Sequence, residues 1–299
     1  MPIESSHTRG QHLLAASALA LAGSLWGTGF LFGKLAMQEM TVSENVAFRF
    51  VASAVALIPV VIRYWKPYRG KELMLLLFAS IIGIPVQFLI QFQGLKLTTV
   101  SHASLIVGVL PILLAGASAI FLHERIRGLE WGALVLSAIG AILIALSGGT
   151  ARSGPSPSLH GDALVLLSMI AAVAMILCTK RLIASHGALA VTATTIILGT
   201  IFLLAWVELT KPLRFHFSAV AWGSAAAQGL LATAGAYLFW NWGLSHMPAS
   251  NAGVFLNLEP VVGTVLGVII LHERLGLTAI LGGLLIIAAA VYLSLRTQS

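Results

Sequence analysis

The chain has 299 residues, of which 58% are hydrophobic and 9% charged, with a formal net charge of +7 and a mean hydropathy of +0.96. Soluble domains carry about 25% charged residues, and one core of this length cannot hide so much apolar surface, so lipid must be part of the solvent. The cations are scattered over loop positions without an aromatic-interleaved basic stripe, which argues against a nucleic-acid partner, and the single cysteine, Cys178, excludes an internal disulfide and a multi-cysteine metal site.

A helix needs about 20 apolar residues to cross the hydrocarbon. On that ruler ten spans are predicted, at 13–35, 45–63, 72–93, 99–121, 130–147, 162–180, 188–207, 219–241, 248–270 and 277–295. The runs are too long and too uniformly apolar for barrel strands, so they read as helices. The first run is long for a signal-peptide core and other spans follow it, so it reads as retained.

In chain order, the first span carries Trp26 and the pairs Gly23–Gly27 and Gly29–Gly33, whose spacing lets helix backbones approach closely. Arg49 lies about one turn inside the second span. It is charged at any relevant pH and suits an anionic group, or else snorkels outward or pairs with Glu44 or Glu39. Gln87 and Gln91 share one face of the third span, just after Pro85. Residues 148–161, rich in Gly, Ser and Pro, read as a linker. In the eighth span Tyr237 and Asn241 share a face beside Trp240, while Trp242 fits an interfacial anchor. Amides and aromatics of this kind line a metabolite cavity or serve as interhelical bonds. The ninth span holds Asn257 and Glu259 before Pro260, with Gly263–Gly267 after it. A carboxylate at mid-span must face protein or water, and the proline denies the Leu256 carbonyl its helical partner. Glu259 therefore reads as a site for a cationic substrate group or a coupling proton, or as a structural acid bonded to a neighbouring helix.

The chain also repeats itself. Residues 94–125 and 243–274 align without a gap at an offset of 149, matching Gly94 with Gly243, Ser101 with Ser250, Pro111 with Pro260, and His123-Glu124-Arg125 with His272-Glu273-Arg274. His102 and Asn251 occupy equivalent positions near span starts, and the two HER tripeptides read as caps of span ends, with Glu124 and Glu273 bonding adjacent helices. Ten spans and this offset imply halves of five, and an odd number per half turns the second copy upside down. With the N-terminus inside, ten cations fall on inner segments and six on outer ones, four of the ten between Arg63 and Lys71. That bias places both termini in the cytoplasm.

Ser24-Leu25-Trp26-Gly27, Arg49-Phe50, the repeated prolines Pro111 and Pro260, and the glutamates Glu124 and Glu273 together resemble the EamA branch of the drug/metabolite transporter superfamily over roughly residues 12–295. The resemblance implies an all-α membrane protein, ten transmembrane helices in two inverted five-helix repeats around a central cavity, moving small metabolites such as amino acids, often outward. The repeats are expected at 1–147 and 162–299, with the linker at 148–161. The halves are unequal, since Met175 stands at the counterpart of Trp26 and Leu110 at the counterpart of Glu259.

The expectation is thus a secondary transporter in a bacterial inner membrane, working by alternating access as a monomer or homodimer, with a small-molecule substrate, proton coupling open and no cofactor. Substrate contacts or coupling are assigned to Glu259, Asn257, Gln87, Gln91, Trp26, Tyr237, Asn241, Trp240 and Arg49. Multidrug or cation efflux by proton antiport is the alternative reading. A channel would show a filter or a symmetric charge ring, an enzyme a motif such as HExxH or GxSxG, and a self-powered pump a GxxxxGK[ST] loop; none is present.

Overall fold

A computed structural model describes residues 4–122, 128–146, 156–210, 212–244 and 253–296. The described residues are helical, with no β-strand among them. Five helical stretches are long and apolar enough to cross a membrane, at Leu13–Ala36, Val42–Tyr64, Lys71–Leu97, Leu159–His186 and Ala188–Thr210, and shorter apolar helices accompany them.

Helix α1 runs Glu4–Ala36 and α2 Val42–Tyr64. Thr41 caps α2, its hydroxyl accepting from the Glu44 amide while the Glu44 carboxylate accepts from the Thr41 amide. This reciprocal cap satisfies two of the otherwise unbonded N–H groups. Helices α3 (Lys71–Ile81) and α4 (Gln87–Leu97) are joined by a wide π-turn at Ile82–Val86 containing Pro85. After the Thr98–Thr99 turn come α5 (Val100–Val107) and α6 (Leu110–Leu122), separated by Gly108–Val109. Helix α7 spans Gly128–Ala145, α8 Leu159–His186 and α9 Ala188–Thr210. A second π-turn at Leu230–Gly235 joins α10 (Ala219–Gly229) to α11 (Ala236–Leu244). A 3₁₀ segment at Gly253–Asn257 leads into α12 (Leu258–Ile270), and α13 is Leu277–Arg296.

The break in the ninth predicted span lies before Pro260, not at it. Helix α12 begins at Leu258, so Pro260 stands in its first turn, where backbone N–H groups have no intrahelical acceptor and a missing one costs little. Pro111 likewise stands in the first turn of α6. The first HER tripeptide, Asn251 and most of the linker lie outside the described residues; α8 starts at Leu159, capped by Ser158, three residues before the expected start.

Helix α1 packs on α10, α11 and α12, α2 on α9 and α10, α3 and α4 on α8, α5 on α12, and α7 on α13. The seams are glycine-made. A Cβ on Gly27 would stand 2.7 Å from the Glu259 carbonyl oxygen and 2.9 Å from the Gly263 amide nitrogen. A Cβ on Gly94 would stand 2.7 Å from the Gly161 carbonyl and 2.8 Å from a Val165 methyl. Without a hydrophobic force between helices inside lipid, such close backbone contact is what dispersion has to work with.

Gly27→Ala should therefore push α1 off α12 and destabilise the protein by about 1–3 kcal/mol, read as a lowered melting temperature in detergent. Gly223→Ala, with nothing within 4 Å of its added carbon, should melt like the parent; equal effects would remove the seam from the packing account.

Candidate functional site

Tight packing of α1 on α11 and α12 brings three aromatic residues together. The Trp26 ring lies 5.5 Å from that of Tyr237, edge to face, and 5.3 Å from that of Trp240. All three are half-buried, as is Glu259. Gly27 touches the main chain at Glu259, so the acid on α12 and the indole on α1 leave adjacent stretches of backbone. Glu259 sits in the first turn of its helix, where the helix dipole favours a negative group.

Arg49 enters the same region from α2. It is 5% exposed, and neither snorkels nor pairs with Glu44 or Glu39. Glu44 is taken by Arg214, whose Nε and Nη2 donate at 2.8 Å. Glu39 accepts the Ser218 hydroxyl and amide, which hold its carboxyl below the usual carboxylate range. The Arg49 guanidinium instead lies over three phenylalanine rings, 4.5 Å from the centroid of Phe88, 5.3 Å from Phe50 and 5.4 Å from Phe92. Its Nε donates to the Thr233 hydroxyl at 2.8 Å. No carboxylate forms an ion pair with it among the described residues, although it interacts electrostatically with Tyr237 and Glu259. A guanidinium held by ring faces and one Nε–H bond keeps the two-pronged end that matches a carboxylate.

The other expected residues are placed as follows. Gly83, Gln87, Gln91 and Gly94 fall on one stripe. Its glycines meet Met175, Gly161 and Val165 of α8, and both glutamines are buried. The Gln87 side-chain oxygen is buried without a hydrogen-bond partner among the described residues. Asn241 donates to the Thr192 hydroxyl at 3.3 Å, tying α11 to α9, and Asn257 is buried at the start of α12. Trp242 is 43% exposed, as an interfacial aromatic would be.

Three polar groups, two of them near the site, were not singled out from sequence. Gln228 is fully buried and donates to the Gly29 carbonyl at 2.7 Å. Thr233, in the second π-turn, donates to the Gln228 carbonyl at 3.1 Å while accepting from Arg49. Further along the bundle, Asp162 accepts the Thr98 hydroxyl at 2.5 Å and meets His102 Nδ1 at 3.1 Å. The signal for Asp162 was present, since an acid opening an apolar run needs a partner. Gln228 and Thr233 gave no pattern of their own.

The comparisons with known proteins agree with this architecture. A Bacillus subtilis protein named as the uncharacterized transporter YetK is 24% identical over 93% of this chain and 86% of its own length. An uncharacterized transporter of Archaeoglobus fulgidus is 30% identical over 94% of this chain and 98% of its own. A Streptantibioticus cattleyicolor protein named as a probable terminal-alkyne amino-acid exporter is 26% identical over 90% and 86%. A solved crystal structure shares the fold at a TM-score of 0.65 and 17% identity, covering 97% of this chain and 99% of that one. The family profile described as EamA-like transporter matches residues 13–146 and 159–295. With a matched profile over nearly its whole length and a helical membrane bundle to go with it, this chain belongs to the EamA-like transporter family.

Proposed function

We propose that this transporter exports amino acids or closely related small zwitterions across the bacterial inner membrane by alternating access. The observation that carries the reading is the buried Arg49, clamped on phenylalanine faces without an ion pair, in the electrostatic reach of Glu259. In this reading Arg49 takes the substrate carboxylate, Glu259 takes its ammonium group or a coupling proton, and Trp26, Tyr237 and Trp240 form the wall for the side chain. Gln87, Gln91, Asn241 and Asn257 shape the surrounding seams. The amino-acid exporter of S. cattleyicolor, a relative over 90% of the chain, supports this substrate class. Cation efflux by proton antiport is the second reading, favoured by a half-buried acid whose main chain adjoins the α1 backbone next to Trp26.

The machine we infer is ten helices in two inverted repeats, 1–147 and 162–299, with both termini cytoplasmic. Three regularities support the inversion. The π-turns recur at the 149 offset, within Ile82–Val86 and Leu230–Gly235. The break at Gly108–Val109 recurs as the step from Asn257 to Leu258. The packing partners also exchange consistently: α4 on α8 mirrors α1 on α11, while α2 packs on α9, α5 on α12 and α7 on α13.

Proteoliposomes loaded with labelled amino acids or hydrophobic cations, with and without a pH gradient, decide between the two substrate readings. Arg49→Lys keeps the charge but loses the fork, and should weaken transport of carboxylate-bearing substrates about tenfold, near 1.4 kcal/mol, while sparing cations that lack a carboxylate. Equal losses for both would remove Arg49 from substrate contact. Glu259→Gln should abolish net transport in protein that inserts normally, and unchanged transport would take the acid out of the mechanism. Single cysteines at Arg125 and Arg274, in a Cys178→Ser background, should react with an impermeant thiol reagent from opposite sides of the membrane. Reaction from one side would end the inverted-repeat account.

A further inference from the structure

The Thr98–Thr99 turn between α4 and α5 gathers charged groups from three distant parts of the chain. Lys34, in the last turn of α1, donates Nζ to the carbonyls of Leu95 at 2.7 Å and Thr98 at 2.5 Å, where α4 ends. Glu273, following α12, accepts the amides of Val100 and Ser101 at 2.8 Å each and the Ser101 hydroxyl at 2.6 Å, where α5 begins. Asp162, in the first turn of α8, binds the Thr98 hydroxyl and His102. Ser158, before α8, adds a bond to the Leu97 carbonyl at 2.7 Å. A cation therefore meets the negative end of one helix and a carboxylate the positive end of the next, and the two also attract each other.

Two features set this knot apart from a routine cap. Every residue from Thr98 to Val109 is buried, whereas Trp26, Tyr237, Trp240 and Glu259 keep partial exposure. The knot is also one-sided in sequence. At the 149 offset Lys34 becomes Ile183 and Asp162 becomes Leu13, while Glu273 alone keeps its counterpart in Glu124. With only one of its three charges repeated at the equivalent sequence positions, the tie weights the bundle toward the arrangement that keeps this face closed.

We propose that Lys34, Asp162 and Glu273 form the latch of the face at which α1 ends and α5 begins, so that the protein rests closed on that face with its aromatic site reachable from the opposite one. The positive-inside bias puts the latch outside, so the resting protein loads from the cytoplasm. That deepens the export reading and rests on it for the identity of the site. Opening this face requires the turn to give up the bonds that Lys34, Glu273 and Asp162 make with it. The charged or titratable groups turned toward the turn are Lys34, His102, Asp162 and Glu273; Lys96, His160, His272 and Arg274 beside it are exposed.

The test measures the latch without relying on transport. Spin labels at Lys96→Cys and Arg274→Cys, in a Cys178→Ser background in nanodiscs, report the distance across the turn by pulsed electron resonance. The parent should show one short population. Asp162→Asn and Lys34→Met should each add a population longer by about 5 Å or more, the scale of a one-turn slide, and Glu72→Gln near Ser185 should change nothing. If Asp162→Asn does not assemble, Thr98→Val, which removes one hydroxyl, is measured in its place. An unchanged distance in folded variants overturns the latch, and a dominant long population in the parent overturns its role in the resting state. If the distances respond as expected while no amino acid is transported, the latch stands and the substrate reading falls.

Discussion

Helix ends are the difficulty for any chain folded in lipid, because each end leaves about four backbone groups without helical partners and little water is at hand to serve them. The turn from α4 to α5 brings two such ends together in a buried place, and the bundle answers with full charges carried on other helices. Lys34 reaches the carbonyls and Glu273 the amides, so α1 and the segment after α12 are fixed relative to the α4–α5 turn. Residues 34 and 273 stand near opposite ends of the chain, and their convergence closes the bundle around α5. Once α5 is held there, α12 lies against it, and α1 lies on α12 through Gly23 and Gly27. The close approach of the Glu259 main chain to Gly27 follows from that sequence of contacts.

Arg49 shows a different way of keeping a charge inside. Burying a guanidinium without an ion pair is expensive, and three phenylalanine faces together with one threonine hydroxyl offset part of that cost. The acids that sequence proximity offered, Glu39 and Glu44, are committed to Ser218 and Arg214. The connection from α1 to α2 and the start of α2 are thus tied to the segment before α10, while the cation on α2 is left to its aromatic surroundings. Thr233 connects this cation to the second π-turn, since its hydroxyl also serves the Gln228 carbonyl.

Much of this was legible in the sequence, for physical reasons that differ from residue to residue. Helical spans were readable because lipid leaves the backbone few other choices, and the glycine pairs of α1 because their spacing has few other uses. That Glu273 would bond an adjacent helix was readable from its place at the end of a repeated span. The bond from Asn241 to Thr192 was not, because a polar residue in an apolar helix reads the same whether it faces a cavity or another helix. Pro260 marked an interruption correctly but not its position, since the helix starts just ahead of the proline. Lys34 was counted as a loop cation because it stands near the end of an apolar run. Only the three-dimensional path of α4 shows that its ammonium group covers two carbonyls.

The contact between Gly27 and the main chain at Glu259 and Gly263 has a further consequence. It fixes the gauge between acid and indole in peptide groups, which cannot rotate aside as side chains do, and any Cβ at Gly27 would force the rails apart. Adapting this protein to a cargo of another shape would therefore have to proceed by repainting the walls, at Tyr237, Trp240 or Arg49, while the track width stayed as it is.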